Sequence, residues 1–98
     1  MKYEVILSER AELRLKEICQ YLVDKWSPSV KDKFIITLQA KLDLLASNPK
    51  MYPKASETEI RRCVITKHNS LYYRVESTAI EVITIHDNRM NPNTLIFE

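Results

Sequence analysis

Arginines and a histidine recur at strand-like positions in the second half of the chain. From Arg61 the sequence runs Arg-Arg-Cys-Val-Ile-Thr, then Leu-Tyr-Tyr-Arg-Val, and finally Ile-Glu-Val-Ile-Thr-Ile-His-Asp. Strands are usually filled with β-branched and aromatic residues, so guanidinium and imidazole groups here indicate a surface that meets an anionic partner. The candidate residues on or near this surface are Arg62, Arg74, His86, Arg89, Lys50, Lys54, Arg61 and Tyr72.

The distribution of charge supports this view more than its total does. The formal net charge of +2 is too small to indicate nucleic-acid binding by itself. Between Lys50 and Arg74, however, the sequence has six basic residues and only two acidic ones, Glu57 and Glu59. The helical segments carry both signs interspersed, so we expect the positive charge to gather on the sheet.

Several functional classes are excluded or disfavoured by composition. The chain of 98 residues has no glycine, so it has no Gly-rich phosphate loop of the kind that nucleotide-binding enzymes use. Cys19 and Cys63 are the two cysteines, and they lack the spacing and the accompanying histidines of a metal site. We therefore expect no cofactor and no metal, and the cysteines are interpreted as small buried residues in a reducing compartment.

No targeting or membrane segment is predicted. The opening residues Met-Lys-Tyr-Glu-Val-Ile-Leu form too short an apolar run for a signal peptide, and no later segment approaches the roughly 18 apolar residues of a membrane span. A cytoplasmic protein without membrane contact is the expectation.

The first half of the chain predicts a strand followed by two helices. A strand over Tyr3 to Leu7 leads directly to Ser8, which is suited to cap a helix. Ser27-Pro28 ends this helix and begins a second one, which stops at Asn48-Pro49. Apolar residues recur at helical spacing on one face of each helix, which indicates an antiparallel helical hairpin. They are Ala11, Leu15, Ile18, Leu22 and Trp26 in the first helix and Val30, Phe34, Leu38, Leu42 and Leu45 in the second.

The second half predicts an antiparallel meander of three strands. A connection of about ten residues, longer than most loops, precedes strands over Ile60 to Thr66, Leu71 to Glu76 and Ile80 to His86. The predicted fold is therefore a single α+β domain over residues 1–98, with the order β-α-α-β-β-β and a helical hairpin packed on a small antiparallel sheet. In the absence of glycine, any residue at positive φ should be Asn48, Asn69 or Asn88.

The register of the meander decides which side chains share a face. If the alternation of the strands lines up, Arg62, Tyr72, Arg74 and His86 lie on one open face, opposite an apolar face that packs on the helices. A two-residue turn at Ser77-Thr78 places Arg74 opposite Glu81. A three-residue turn would instead move His86 to the side of Arg74.

Each candidate also has a purely structural interpretation. Arg74 would form a cross-strand pair with Glu81, worth about 0.2 to 1 kcal/mol. His86 would be a hydrogen-bonded structural histidine, and His68 would be solvated in a polar turn. The outward-facing member of the Tyr72-Tyr73 pair would either stack on a base or simply cover the sheet. Lys50 and Lys54 would be solvated loop residues.

The order and spacing of several motifs resemble a known family. They are Ser8-x-x-Ala11-x-x-x-Leu15-x-x-Ile18-x-x-Tyr21, then Asn48-Pro49-x-x-Tyr52-Pro53, and then Arg62, Leu71-Tyr72-Tyr73-Arg74-Val75 and His86-x-x-Arg89-x-x-Pro92. Over nearly its whole length the chain resembles the RelE/ParE superfamily of toxins from bacterial type II toxin-antitoxin modules. The resemblance implies a cognate antitoxin as partner, with an acidic or amphipathic segment that covers the sheet and the helical hairpin.

The resemblance implies two targets, because the ParE branch acts on DNA gyrase and the RelE branch cuts messenger RNA in the ribosome. Arg62, Arg74, His86 and Arg89 would be the catalytic candidates of a nuclease. RelE-like nucleases carry a tyrosine close to the C-terminus, whereas the last tyrosine here is Tyr73. Together with the long helical hairpin, this favours the ParE branch. An interaction module without toxicity is the third alternative, and whether the protein is an enzyme stays open.

Overall fold

The computed structural model describes residues 2–55 and 58–87, which form two helices and four strands. Their order is β1 (Glu4–Leu7), α1 (Glu9–Lys25), α2 (Pro28–Ser47), β2 (Arg61–Val64), β3 (Asn69–Glu76) and β4 (Ala79–Asp87). This is the predicted β-α-α-β-β-β order of an α+β fold, with the ends of most elements shifted by one or two residues.

The sheet has the strand order β1-β4-β3-β2. The predicted antiparallel meander is present, since β2 pairs with β3 and β3 with β4. The first strand, however, lies parallel to β4, with Glu4 opposite Ala79 and Leu7 opposite Val82. The sheet is therefore mixed, whereas the sequence suggested a wholly antiparallel one. The helical hairpin carries the chain to the far edge, and the meander then returns until β4 reaches β1.

The helices begin and end where the sequence predicts. The Ser8 hydroxyl accepts a hydrogen bond from the Ala11 N–H at 3.0 Å, and the Ser27 hydroxyl accepts one from the Val30 N–H at 3.2 Å. Both serines thus satisfy an amide that has no partner within its helix. Pro28 occupies the first turn of α2, and that helix ends at Ser47, just before Asn48. Among the described residues, neither helix is both long and apolar enough to cross a membrane.

The core lies between the helical hairpin and one face of the sheet. Most of the predicted apolar residues pack there, and the buried ones on the helices are Ala11, Phe34, Leu38 and Leu45. Trp26 is an exception, because it is 69% exposed. It occupies the C-cap position after α1 ends at Lys25, so its ring no longer follows the buried stripe of the helix. Val30, in the first turn of α2, is also exposed.

Two side chains that lie opposite each other in the sheet fasten the connection after α2. Tyr73 in β3 faces Arg61 in β2. The buried Tyr73 hydroxyl donates a hydrogen bond to the Pro49 carbonyl at 2.7 Å. The Arg61 Nη1 donates to the carbonyls of Tyr52, at 2.6 Å, and Lys50, at 3.3 Å. The carbonyls of this connection are thereby satisfied without regular secondary structure.

The same connection then runs along the outer edge of β2. The Arg62 N–H donates to the Pro53 carbonyl at 3.1 Å, and the Ala55 N–H donates to the Ile60 carbonyl at 2.7 Å. Lys54 and Arg61 form an isolated antiparallel bridge at this point. The start of β2 is thus not an open edge.

A two-residue turn, Ser77-Thr78, joins β3 to β4 and places Arg74 opposite Glu81, as one of the two predicted registers requires. Ser77 has a φ of 53°, and within residues 2–55 and 58–87 it is the one residue at positive φ. The asparagine prediction is therefore wrong for Asn48, whose φ is −140°, and for Asn69, which belongs to β3. Asn88 lies outside the described residues. Positive φ at the first central residue is the requirement of a type II′ hairpin turn.

A β-bulge interrupts the pairing of β3 and β4. Tyr72 faces Thr84, whereas its neighbour Tyr73 faces Val82, so Ile83 is an extra residue in β4. An extra residue reverses the alternation of all the residues beyond it. Ser8 contacts the bulge twice: its N–H donates to the Val82 carbonyl at 3.0 Å and its hydroxyl donates to the Ile83 carbonyl at 2.7 Å.

We expect Tyr73→Phe to lower the free energy of unfolding by about 1 to 2 kcal/mol, because the Pro49 carbonyl loses a buried donor. For a protein of this size that corresponds to a fall in Tm of about 4 to 8 °C per kcal/mol. Thermal unfolding followed by circular dichroism measures it. Tyr3→Phe is the matched control, and an equal loss in both variants would contradict a specific role of the Tyr73 hydroxyl.

Ser8 has two separable roles, which two substitutions distinguish. Ser8→Ala removes both the helix cap and the bond to the bulge, and should cost about 1 to 3 kcal/mol of stability. Ser8→Asp keeps the cap acceptor but cannot donate to Ile83 when ionised, so its loss should be smaller. Urea unfolding of the two variants tests this order. If Ser8→Asp is less stable than Ser8→Ala, the cap is the smaller of the two contributions of Ser8 to stability.

Candidate functional site

The structure brings four of the predicted site residues to one face of the sheet. Arg62 in β2 lies opposite Tyr72 in β3, and Arg74 follows two positions later on the same side. The bulge shifts β4 so that His86, opposite Ser70, has the same alternation as these residues. The turn has two residues and His86 still shares the side of Arg74, a combination that neither predicted register contained.

Arg74 is held between two carboxylates. Its Nη2 donates to Glu81 Oε1 at 2.8 Å, and its Nε lies 2.9 Å from Glu76 Oε1 without the alignment of a hydrogen bond. The predicted cross-strand pair with Glu81 is thus confirmed. All three side chains are partly exposed, so solvent screening keeps the contribution of these pairs to stability small. A role of Arg74 in binding an anion stays a prediction, and it would require this guanidinium to leave its present partners.

Tyr72 is the outward-facing member of the tyrosine pair, but it is not open to solvent. It is 6% exposed and forms a small second cluster with Ile60 and Ile83, on which Ala55 packs. The connection before β2 therefore covers part of the face that the sequence predicted to be open. In this arrangement the ring of Tyr72 covers the sheet, and stacking on a base would require that cover to move.

The remaining predicted binding residues lie at the covered edge of β2. Arg61 points to the helix side and donates to backbone carbonyls, so its role in the structure is to hold the connection. Lys54 pairs with Glu59 at 3.2 Å, in an exposed ion pair of the kind that contributes little. Lys50 is exposed, and Arg89 lies outside the described residues.

His86 lies in a strongly cationic neighbourhood. Burial lowers the pKa of its imidazole below the usual value, and the carboxylate of Asp87 opposes this shift. The positive charges of Arg10, Arg14 and Arg62 lower this pKa further. The imidazole is therefore mainly neutral at pH 7, so it can accept a proton but is a poor donor.

Arg10 and Arg14 are functional candidates that the sequence analysis missed as part of this site. They are four residues apart on α1, so they share a face of the helix. The contact of Ser8 with Ile83 sets the start of this helix against β4, and Arg14 and Asp87 line the same cavity. Arg14 also pairs with Glu17 at 2.7 Å on the surface. The spacing of the two arginines was visible in the sequence, but their proximity to His86 depends on the crossing of α1 over β4.

Arg62 and His86 lie on different strands of this surface and are not adjacent. From the spacing of strands and of residues along them, the Cα atoms of Arg62 and His86 are about 12 Å apart, with β3 between them. Among the described residues, no group of three or more His, Cys, Asp or Glu side chains is arranged to hold a metal ion.

A two-helix hairpin on a four-stranded mixed sheet, with basic residues along the face away from the helices, defines a small α+β protein. Residues 5–92 match the family model of the ParE toxin of the type II toxin-antitoxin system parDE. The match spans most of the chain, so the protein belongs to the ParE toxin family. A search of curated protein sequences finds no match.

Solved structures of low sequence identity share the fold. The chromosomal ParDE system from P. aeruginosa superposes with a TM-score of 0.75 at 17% identity, covering 88% of this chain and 96% of that one. The RelBE complex from E. coli gives a TM-score of 0.60 at 17% identity, covering 87% and 95%. The DinJ-YafQ complex from E. coli gives 0.61 at 14% identity, covering 91% and 96%. The predicted RelE/ParE-like fold is thus confirmed.

The cationic neighbourhood of His86 can be measured by NMR titration of its imidazole. We expect a pKa below the usual value of a histidine, and Arg62→Gln should raise it because one of the nearby positive charges is removed. Lys16→Gln is the control, since it removes a positive charge from the exposed part of α1. If Arg62→Gln leaves the pKa of His86 unchanged, the two residues do not belong to one site.

The same shift makes stability depend on pH. The unfolded chain binds a proton at His86 more readily than the folded protein, so stability should fall as the pH drops through the ordinary range of an imidazole. His86→Gln should remove this part of the acid sensitivity, while His68→Gln keeps it.

Proposed function

We propose that this ParE-family toxin inhibits growth by binding DNA gyrase without cleaving nucleic acid itself, and that a cognate antitoxin neutralises it. The observation that carries the proposal is the match to the ParE toxin model over residues 5–92. The higher TM-score with ParDE than with RelBE or DinJ-YafQ agrees with it.

The state of the predicted catalytic residues also supports a non-nucleolytic toxin. Cleavage of RNA through the 2′-hydroxyl needs a base, an acid and cations on the phosphate. Arg74 is already paired with Glu76 and Glu81, and Tyr72 is covered by the connection before β2. Of the four nuclease candidates, Arg62 and His86 are thus the two described ones that face solvent without a carboxylate clamp.

A protein partner is supported by the relatives of this fold. The ParDE, RelBE and DinJ-YafQ structures are all toxin-antitoxin systems or complexes. On this chain, exposed apolar side chains such as Trp26, Val30 and Ile36 on the helical hairpin offer contact area beside the cationic sheet. An antitoxin segment with both acidic and apolar residues would match the two surfaces together.

The ribosome-dependent endoribonuclease remains the second candidate, and one observation favours it. The imidazole of His86 is mainly neutral and lies near Arg10, Arg14 and Arg62, which is a suitable environment for a base beside a phosphate. An interaction module without toxicity is the third candidate, in which the same surface only docks a partner.

Purified protein should inhibit gyrase supercoiling of plasmid DNA while leaving a purified translation system active. His86→Ala and Arg62→Ala serve as diagnostic variants in both assays. If messenger RNA is cut at A-site codons and His86→Ala abolishes the cutting, the nuclease candidate replaces the gyrase one.

Growth after induced expression, with and without the neighbouring open reading frame, tests the toxin role before its mechanism. We expect growth arrest that the co-expressed neighbour reverses. Unaffected growth, with an intact circular dichroism spectrum, would leave the interaction module as the answer. Binding of the antitoxin should weaken at high ionic strength, because charge complementarity contributes to it.

A further inference from the structure

A second cationic surface lies at the edge of β2 and shares Arg62 with the neighbourhood of His86. It is an open groove of about 450 Å³ between the end of α2, the connection before β2 and the segment that follows β2. Its polar lining comes from Lys41, Arg62, Lys67, Tyr52 and Thr66, and none of its lining residues is acidic. Lys41 and Lys67 did not figure among the predicted site residues.

The three cations of this groove differ in their partners from three other basic residues nearby. Arg61, Lys54 and Arg74 are each engaged with carbonyls or carboxylates of the protein. Within residues 2–55 and 58–87, by contrast, Lys41, Arg62 and Lys67 have no hydrogen bond or ion pair to an acidic side chain. Three like charges on three different segments repel one another when no acidic side chain neutralises them. An external anion bound in the groove would relieve this repulsion.

The backbone at this edge shows which kind of anion fits. The Arg62 N–H is already bonded to the Pro53 carbonyl, and the N–H groups of Ile65 and Thr66 are bonded to the Asn69 carbonyl. Along this part of the described edge, the Val64 N–H is the one outward-facing amide without a hydrogen bond. An added peptide strand would therefore gain only one hydrogen bond from these amides. A phosphate backbone does not need such backbone hydrogen bonds. It needs cations and other donors that are open to solvent, and Lys67 and Arg62 are exposed cations.

We propose that the groove formed by Lys41, Arg62 and Lys67 binds the phosphodiester backbone of a nucleic acid. Arg62 and the two lysines contact phosphate oxygens, whereas the Thr66 hydroxyl is occupied in the turn, where it accepts from His68 and Asn69. Tyr52 does not serve as a stacking platform, because it is half-buried and packs against the core. Binding is therefore independent of sequence. This assignment goes beyond the proposed target and does not depend on whether gyrase or the ribosome is attacked.

The test is fluorescence anisotropy of two labelled 20-mers, a DNA duplex and a single-stranded RNA, titrated with the full-length protein at several salt concentrations. We expect at least one probe to bind, with an affinity that falls steeply with salt. Lys41→Gln, Lys67→Gln and Arg62→Gln should each weaken binding and reduce the slope of log Kd against log salt by about 1. Lys41→Arg and Lys67→Arg should retain binding, since they keep the charge.

Lys16→Gln and Lys25→Gln are matched controls on α1 and should leave the slope and the affinity nearly unchanged. Equal effects in controls and groove variants would overturn the assignment in favour of diffuse attraction to a basic protein. It would also be overturned if neither probe binds at low salt, or if a labelled poly-glutamate peptide binds more tightly than both with the same dependence on the three residues. Gyrase inhibition measured with the same protein separates the two proposals, because a protein that inhibits gyrase but binds neither probe would overturn the groove assignment and leave the proposed target.

Discussion

The bulge at Ile83 is the constraint on which the arrangement of the functional surface depends. A two-residue turn at Ser77-Thr78 fixes the start of the β3–β4 pairing, and without an extra residue His86 would point into the helix side. The bulge reverses the alternation and sends His86 to the side of Arg62 and Arg74. Ser8 links this local irregularity to the rest of the fold, because one hydroxyl caps α1 and also donates to the carbonyl of Ile83. The position of α1, and with it that of Arg10 and Arg14, is therefore coupled to the alternation of β4.

The basic residues of the sheet divide into those that hold the fold and those that are open to a partner. Residue type does not distinguish them, since Arg61 and Arg62 are neighbours and face opposite sides of β2. Arg61 supplies donors to the backbone carbonyls of Lys50 and Tyr52, which no ladder satisfies, and Arg74 neutralises two carboxylates. A count of the basic residues in the strands thus overestimates the positive charge that a ligand meets on the sheet. It also misses Lys41, which reaches the sheet edge from α2.

Short sequence patterns made much of the fold predictable, whereas features that depend on contacts between residues distant in the sequence were not predicted. Ser8, Ser27 and Pro28 act through the amides of their own helices, so the boundaries of α1 and α2 follow from short sequence patterns. A bulge leaves no comparable pattern, because Ile83 and Thr84 fit a regular strand equally well. The burial of Tyr72 was equally hidden, since the covering residues Ala55 and Ile60 come from a connection whose path is set by hydrogen bonds from Arg61, Arg62 and Tyr73. The strands that carry the candidate residues were predicted from the sequence, but the partners of these residues required the structure.

The protonation states of the site then bear on what this toxin does. Acid and base catalysis on a phosphodiester needs one group that gives a proton and one that takes it, both near neutral pH. Burial and three arginines keep His86 mainly neutral, which suits it to accept a proton. Burial raises the pKa of Tyr73 to about 12, and its hydroxyl already donates to Pro49, so it cannot replace the missing acid. Within the described residues, this surface offers a proton acceptor and electrostatic attraction for anions.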